Sequence, residues 1–164
     1  MPRDTPVRDY MTTEVLTFTA EDNVQAAMQQ MVDQGIDGAP VVDANGAVVG
    51  MITTGDLIVQ ESQLHFPTVL SFLGATLELP SSKKHFDEDI RKALGASVGE
   101  VMTADPETVR EDDNLERAAT VMHQSNVSRL PVVRAGLLVG IIARTDIVRA
   151  IVSEPRSPEG GATG

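Results

Sequence analysis

The chain contains no cysteine and no tryptophan. Without cysteine there are no disulfides, no thiolate-held metals and no cysteine nucleophile. Aromatic residues make up 3% of the 164 residues, one Tyr and four Phe. At 41% hydrophobic residues a core can form, but Val, Ile, Leu, Met and Ala must build it. No apolar run reaches the roughly 18–20 residues that a bilayer span needs. The opening MPRDTPVRDYM lacks the apolar middle of a signal peptide. A cytoplasmic protein with no membrane partner is the expectation. Positive charge is scarce, with 13 Lys and Arg against 24 Asp and Glu, a net −11. That field repels phosphate backbones, so no nucleic acid partner is expected. It also opposes a small phosphate ligand, unless arginines gather locally. Catalytic patterns are missing too. His65, His85 and His123 share no metal spacing, and the chain has neither a nucleophile elbow nor a glycine-rich phosphate loop. No enzyme activity, metal or resident cofactor is expected.

What the chain does have is an internal repeat. Val7 to Ile58 and Val98 to Val148 align. Met11-Thr12 pairs with Met102-Thr103, Asp22-Asn23 with Asp113-Asn114, and Met31 with Met122. Pro40-Val41-Val42 pairs with Pro131-Val132-Val133. After one deleted residue, Gly50 pairs with Gly140 and Asp56 with Asp146.

Each copy predicts the same elements. An extended piece comes first, Val15 to Phe18 or Glu107 to Val109. A helix follows, with Val24, Ala27, Met28, Met31 and Val32 on one face and Leu115, Ala118, Ala119 and Met122 on the same plan. Thr19 with Asp22 resembles a capping box. Gly35 and Asn126 suit the left-handed residue that ends a helix. A strand from Pro40 to Val42, a turn at Asp43 to Gly46 and a strand from Ala47 to Ile52 complete a hairpin. The second copy turns at Arg134-Ala135-Gly136. A second helix starts near Thr54 or Thr145. Fifty such residues cannot cover their own sheet, which gives a reason for doubling the unit.

Two stretches fall outside the repeat. Residues 59–97 hold Leu64, Phe66, Val69, Leu70, Phe72, Leu73, Leu77 and Leu79, then a helical piece from Phe86 to Leu94. The tail SEPRSPEGGATG has the composition of a disordered segment.

The doubled β-α-β-β-α unit, the Pro-Val-Val strands and the Gly-x-x-Thr-x-x-Asp of Gly50, Thr53 and Asp56 resemble a tandem pair of CBS domains, the Bateman module named after cystathionine beta-synthase. The resemblance implies an α/β (α+β) fold of two repeats packed with pseudo-twofold symmetry. Its expected domains are a first CBS motif at 1–60, a helical apolar insertion at 61–97, a second motif at 98–152 and a tail at 153–164. It implies a stand-alone bacterial-type regulatory module that binds an adenosine-containing ligand in clefts between the copies. AMP, ADP, ATP and S-adenosylmethionine are the candidates, as regulatory ligands. A separate, unidentified protein partner would read the bound state, and a homodimer is the default expectation. The alternative is an interaction or dimerisation module that binds no nucleotide, which the apolar insertion favours.

An Asp in the first turn of a helix can cap it. It can equally accept both hydroxyls of a ribose, which need an acceptor with two oxygens. The resemblance implies the second role for Asp146, and Asp56 is its counterpart. Charge separates the two copies. Before Pro131 stand Val127, Ser128, Arg129 and Leu130, and Arg144 lies in the motif itself. The resemblance implies a phosphate contact for Arg129; on a chain of this charge a phosphate needs local cations, and Arg144, with Arg134 as a further nearby one, can supply them. Ala143 stands where the family usually has Thr or Ser, so Thr145 or Ser128 has to supply the hydroxyl. Copy one offers Thr53 but carries Asp37 and no cation before Pro40. The adenine slot would be walled by Ile36 and Ala39 in copy one and by Val127 and Leu130 in copy two. Thr17, Thr19 and Thr108 complete the expected ligand set, and each is equally an ordinary strand-end residue.

Overall fold

The computed structural model describes residues 4–55 and 96–153. Asp56, the apolar stretch through Leu79, the piece from Phe86 to Leu94, His65, His85 and the tail beyond Ser153 lie outside the described residues. A 3-10 turn at Val7–Asp9 opens the chain. Helix α1 (Val24–Asp33) and strands β1 (Gly38–Val42) and β2 (Val48–Thr53) follow. Then come α2 (Val98–Val101), β3 (Thr103–Ala104), β4 (Val109–Arg110), α3 (Leu115–Gln124), β5 (Arg129–Arg134), β6 (Leu137–Ala143) and α4 (Arg144–Ser153). The fold is mixed α and β, built, among the described residues, on two small three-stranded sheets.

Both long repeat helices start on asparagine. The Asn23 side chain accepts the Ala26 N–H at 3.1 Å, and that of Asn114 accepts the Arg117 N–H at 2.8 Å. The sequence reading placed the first cap at Thr19. Asp22 does accept the Thr19 N–H at 2.8 Å, and Asp113 accepts that of Arg110 at 2.8 Å. These bonds close a turn ahead of the helix; within it asparagine takes the third N–H, and the first goes to the Ala96 carbonyl in α1 and to that of Thr5 in α3. The C-termini follow the expectation. Gly35 has φ 65° and Asn126 φ 53°. Ile36 N–H donates to the Met31 carbonyl at 2.8 Å and Gly35 N–H to that of Val32 at 3.1 Å. Val127 donates to Met122 at 3.0 Å and Asn126 to His123 at 3.3 Å. Both pairs form the Schellman motif.

The hairpins are antiparallel and share an irregularity, a register shift between Val41 and Val42 in one and between Val132 and Val133 in the other. Asp43 Oδ1 accepts the N–H groups of Asn45 and Ala47 and so shapes the longer turn. The shorter turn has positive φ at both Ala135 and Gly136, the twist that a tight hairpin requires.

Sequence repeats and compact units are offset. One unit takes the chain up to Val15 together with everything from Glu107; the other runs from Leu16 to Pro106. The leading segment of each repeat therefore lies on the sheet of the opposite repeat. In the first unit Thr12 bridges Ile141 of β6, and Val7 N–H donates to the Asp113 carbonyl at 2.8 Å. In the second, β3 extends the sheet along β2, and Val98 N–H donates to the Asp22 carbonyl at 2.8 Å. Glycine permits both. A Cβ on Gly140 would meet Met11 Sδ at 2.7 Å and the Thr12 carbonyl at 2.9 Å, and one on Gly50 would collide with Met102.

Each unit has its own core. Val7, Met122, Leu130, Val132 and Ile142 centre one, and Val24, Met28, Met31, Val41 and Ile52 the other. Phe18 is the one aromatic side chain buried among the described residues. An ion pair ties the β5–β6 turn to the loop before α3. Arg134 donates from Nε and from Nη2 (2.6 Å) to the carboxylate of Glu111. The hydrogen bond from Arg134 holds the Glu111 carboxyl below the usual carboxylate range, helped by the nearby charges of Arg134 and Arg8, against partial desolvation. A depressed carboxylate stabilises the fold above its unfolded-state pKa and loses that contribution as pH falls through the folded value. Glu111→Gln is therefore expected to melt below the wild type at neutral pH. The gap should close as pH drops below about 4, and paired thermal melts across pH check this.

Candidate functional site

In the unit built on β5 and β6, the hairpin register gathers the expected residues at one end. Arg129 opens β5 and pairs with Ala143, the last residue of β6; Leu130 pairs with Ile142 and Pro131 with Ile141. Arg144 N–H then donates to the Ser128 carbonyl at 3.0 Å. That bond brings the start of α4 beside the segment entering β5. Arg129, Arg144 and Asp146 thus stand at one end of one hairpin, although 15 or more residues separate the first from the others in the chain.

Asp146 is the only charged residue buried among the described residues, at 6% exposure. It caps its helix. Its Oδ2 accepts the Ala143 N–H at 2.8 Å, the acid-to-backbone half of a capping box. Its Oδ1 accepts from Arg149 Nη1 at 3.2 Å. A carboxylate offers about four lone-pair sites, so acceptor capacity remains on both oxygens. Arg129 is half-buried, with its Nε withdrawn from solvent. Arg144, Thr145 and Ser128 are exposed.

The other predicted residues are placed as follows. Val127 and Ile36 are half-buried and hold the last position of the two Schellman motifs; Val127 packs on its unit's core. Leu130 and Ala39 are core residues, each 1% exposed, and Pro131 is buried. Thr108 is exposed and precedes Val109, which lies parallel to Val132 of β5. Arg134 stands away from this end. It closes β5, about 16 Å along the strand from Arg129, and is engaged with Glu111. Thr17, Thr19, Ile36, Ala39 and Thr53 belong to the other unit. There Thr53 pairs with Gly38 and Thr54 N–H donates to the Asp37 carbonyl at 2.9 Å, the counterpart of the Arg144–Ser128 bond. Thr17 and Thr19 are exposed. Asp56 lies outside the described residues.

Arg149 was not foreseen. Its signal in the sequence is its place three residues after Asp146 on a helix, where opposite charges meet. His123 is exposed in the last turn of α3. No group of three metal-ligating side chains occurs among the described residues. No helix among them is long and apolar enough to cross a membrane.

Comparison with known proteins identifies the repeated unit. The CBS domain model matches twice, at residues 7–61 and 98–153. The chain is 34% identical over 146 residues to the chloroplastic CBS domain-containing protein CBSX2 of Arabidopsis thaliana. That alignment covers 84% of this chain, which spans only 58% of the relative's length. The crystal structure of CBSX2 in complex with AMP is similar at TM-score 0.68 and 31% identity, covering 90% of this chain and 96% of that one. The CBS domain of a CBS domain-containing membrane protein from Sphaerobacter thermophilus is similar at TM-score 0.66 and 29% identity, covering 90% and 88%. With two matched repeats, two hairpins of one design and a helix start closing each, this chain belongs to the CBS domain family as a tandem pair.

Proposed function

We propose that this chain is a regulatory module that senses an adenosine-containing nucleotide, with AMP the first candidate. One observation carries the reading: the backbone places Arg129, Arg144 and Asp146 together at the end of the β5–β6 hairpin. A carboxylate suits the two ribose hydroxyls, and two guanidiniums suit a phosphate. On a chain of net −11, such a local excess of cations is what a phosphate ligand needs. The AMP bound by CBSX2, at 31% identity, supports the same class of ligand. No reaction is assigned to the module. Ligand would act by differential binding, favouring one arrangement of the module that a separate protein partner reads. The expected homodimer and cytoplasmic location belong to this proposal.

A second reading has its own observation. Val148, Ile151 and Val152 on α4 are 57%, 59% and 77% exposed, a stripe at helical spacing. A protein-interaction or dimerisation module that binds no nucleotide would use such a face.

Melting temperature against AMP, ADP, ATP, S-adenosylmethionine and GTP separates the two. A ligand at 100 times its Kd stabilises by about 2.7 kcal/mol. For a domain of this size that is a rise of roughly 5–10 °C. The expected result is a rise with one adenosyl ligand and none with GTP. Arg129→Ala should reduce the rise with AMP while leaving that with adenosine. A flat panel on ligand-free protein would favour the interaction module.

A further inference from the structure

We propose that Arg149 is a counter-ion latch on Asp146 that competes with a ribose for the carboxylate. The inference rests on the reading of Asp146 as a ribose acceptor and adds how that acceptor is guarded. Each carboxylate oxygen of Asp146 already holds a donor. Oδ2 holds the Ala143 backbone N–H, and Oδ1 holds Arg149 Nη1. The two donors differ in what it takes to move them. The N–H is fixed by the first turn of α4 and cannot leave unless that turn unwinds. The guanidinium sits at the end of a long side chain that is 64% exposed. At 3.2 Å its contact is longer than the 2.7–2.9 Å typical of charge-assisted bonds.

The side chain of Asp146 is only 9% exposed, so little of the carboxylate is open while the arginine stays in place. A diol that uses both oxygens therefore meets the arginine, and the arginine is the donor that yields. The latch also selects. A ligand offering two adjacent hydroxyls makes two bonds for the one it breaks, whereas one offering a single hydroxyl only exchanges a charged donor for a neutral one. Arg149 is thus a specificity-determining residue that weakens every ribose ligand while protecting the buried carboxylate in its absence.

Calorimetric titration of the full chain with adenosine tests this. Adenosine is neutral, so attraction between Arg149 and a phosphate does not enter. Arg149→Gln should bind adenosine about two- to five-fold more tightly than wild type, the range for an exposed ion pair. Arg149→Met should shift the same way, and circular dichroism should show α4 intact in at least one of the two. Raising salt from about 50 to 500 mM weakens the ion pair, so wild-type affinity for adenosine should rise with salt while that of Arg149→Gln stays flat. Unchanged or weaker adenosine binding in both variants, or a gain without the wild-type salt dependence, overturns the latch and leaves the ribose reading standing. If neither wild type nor variants bind adenosine or AMP, the ribose reading falls and the latch with it.

Discussion

Gly140→Val is expected to cost roughly 3–5 kcal/mol and to lower the melting temperature by about 6–20 °C. The cost arises because Gly140 is where the leading segment of the chain crosses β6. A Cβ there would sit 2.7 Å from Met11 Sδ, 3.1 Å from Met11 Cγ and 2.9 Å from the Thr12 carbonyl oxygen. The sulfur can swing aside, but the carbonyl cannot. It accepts the Ile141 N–H at 2.9 Å, and Thr12 N–H donates back to the Ile141 carbonyl at 2.9 Å. Moving the carbonyl away breaks both bonds, worth about 1 kcal/mol each, in addition to the overpacking. Gly140→Ala should cost about 2 kcal/mol. Gly50→Ala should cost less, because its tightest contacts are with the flexible end of Met102 and the Thr103 carbonyl lies at 3.1 Å. Gly136→Ala sets the scale for backbone strain alone. It has φ 80° with nothing within 4 Å, so about 1 kcal/mol is expected. Thermal melts of the four variants check the order. A Gly140→Val protein as stable as Gly136→Ala would mean that the leading segment does not rest on β6.

That crossing marks the limit of what the sequence could reveal. Periodicity and turn chemistry carried the elements, because their causes are local. Helix faces (apart from Val32, expected on the apolar face of α1 but 60% exposed), the left-handed Gly35 and Asn126 and both hairpins depend on residues within a few positions of each other. The repeat placed Met11-Thr12 beside Met102-Thr103, but aligning two segments does not say which sheet each one joins. The exchange of leading segments is a long-range choice, and its one trace in the chain is a pair of glycines in strands otherwise rich in Val and Ile. Gly50 and Gly140 were read as part of a motif, and the structure gives them a packing reason as well. The cap at Thr19 misled for a related reason. Asp22 does bond back three residues, but Asn23 beside it has the oxygen that accepts the Ala26 N–H. At the candidate site, Arg129 and Arg144 were legible as cations near an acid. Register decided which of them converge, and it sent Arg134 to the far end of β5. Arg149 lies outside the motif itself, and its one signal is the i,i+3 spacing from Asp146.

Asp146 has two jobs, and two substitutions separate them. Asp146→Asn keeps one side-chain oxygen, which can still accept the Ala143 N–H. It loses the charge, the contact with Arg149 and the second acceptor. Its stability should therefore fall by no more than about 1 kcal/mol, the value of a charge at a helix N-terminus. Asp146→Ala also loses the cap and should fall by about 1–2 kcal/mol. Ligand binding should respond differently. A ribose diol on this carboxylate makes two hydrogen bonds to a charged group, worth about 1.5–3 kcal/mol each. An amide can accept one of them and opposes the other with its own donors. Affinity for AMP should thus drop about 100-fold or more in both variants. At a concentration that gives the wild type a rise of roughly 5–10 °C, a 100-fold weaker site is half filled, and the rise shrinks to about 1–2 °C. The signature of the proposed site is a near-native melting temperature for Asp146→Asn with its response to AMP cut to about 1–2 °C. If Asp146→Asn keeps the wild-type response to AMP, Asp146 is a helix cap and nothing more. The ribose would then have to be held elsewhere, and the arginines at the end of β5 would lose the partner that makes them a site.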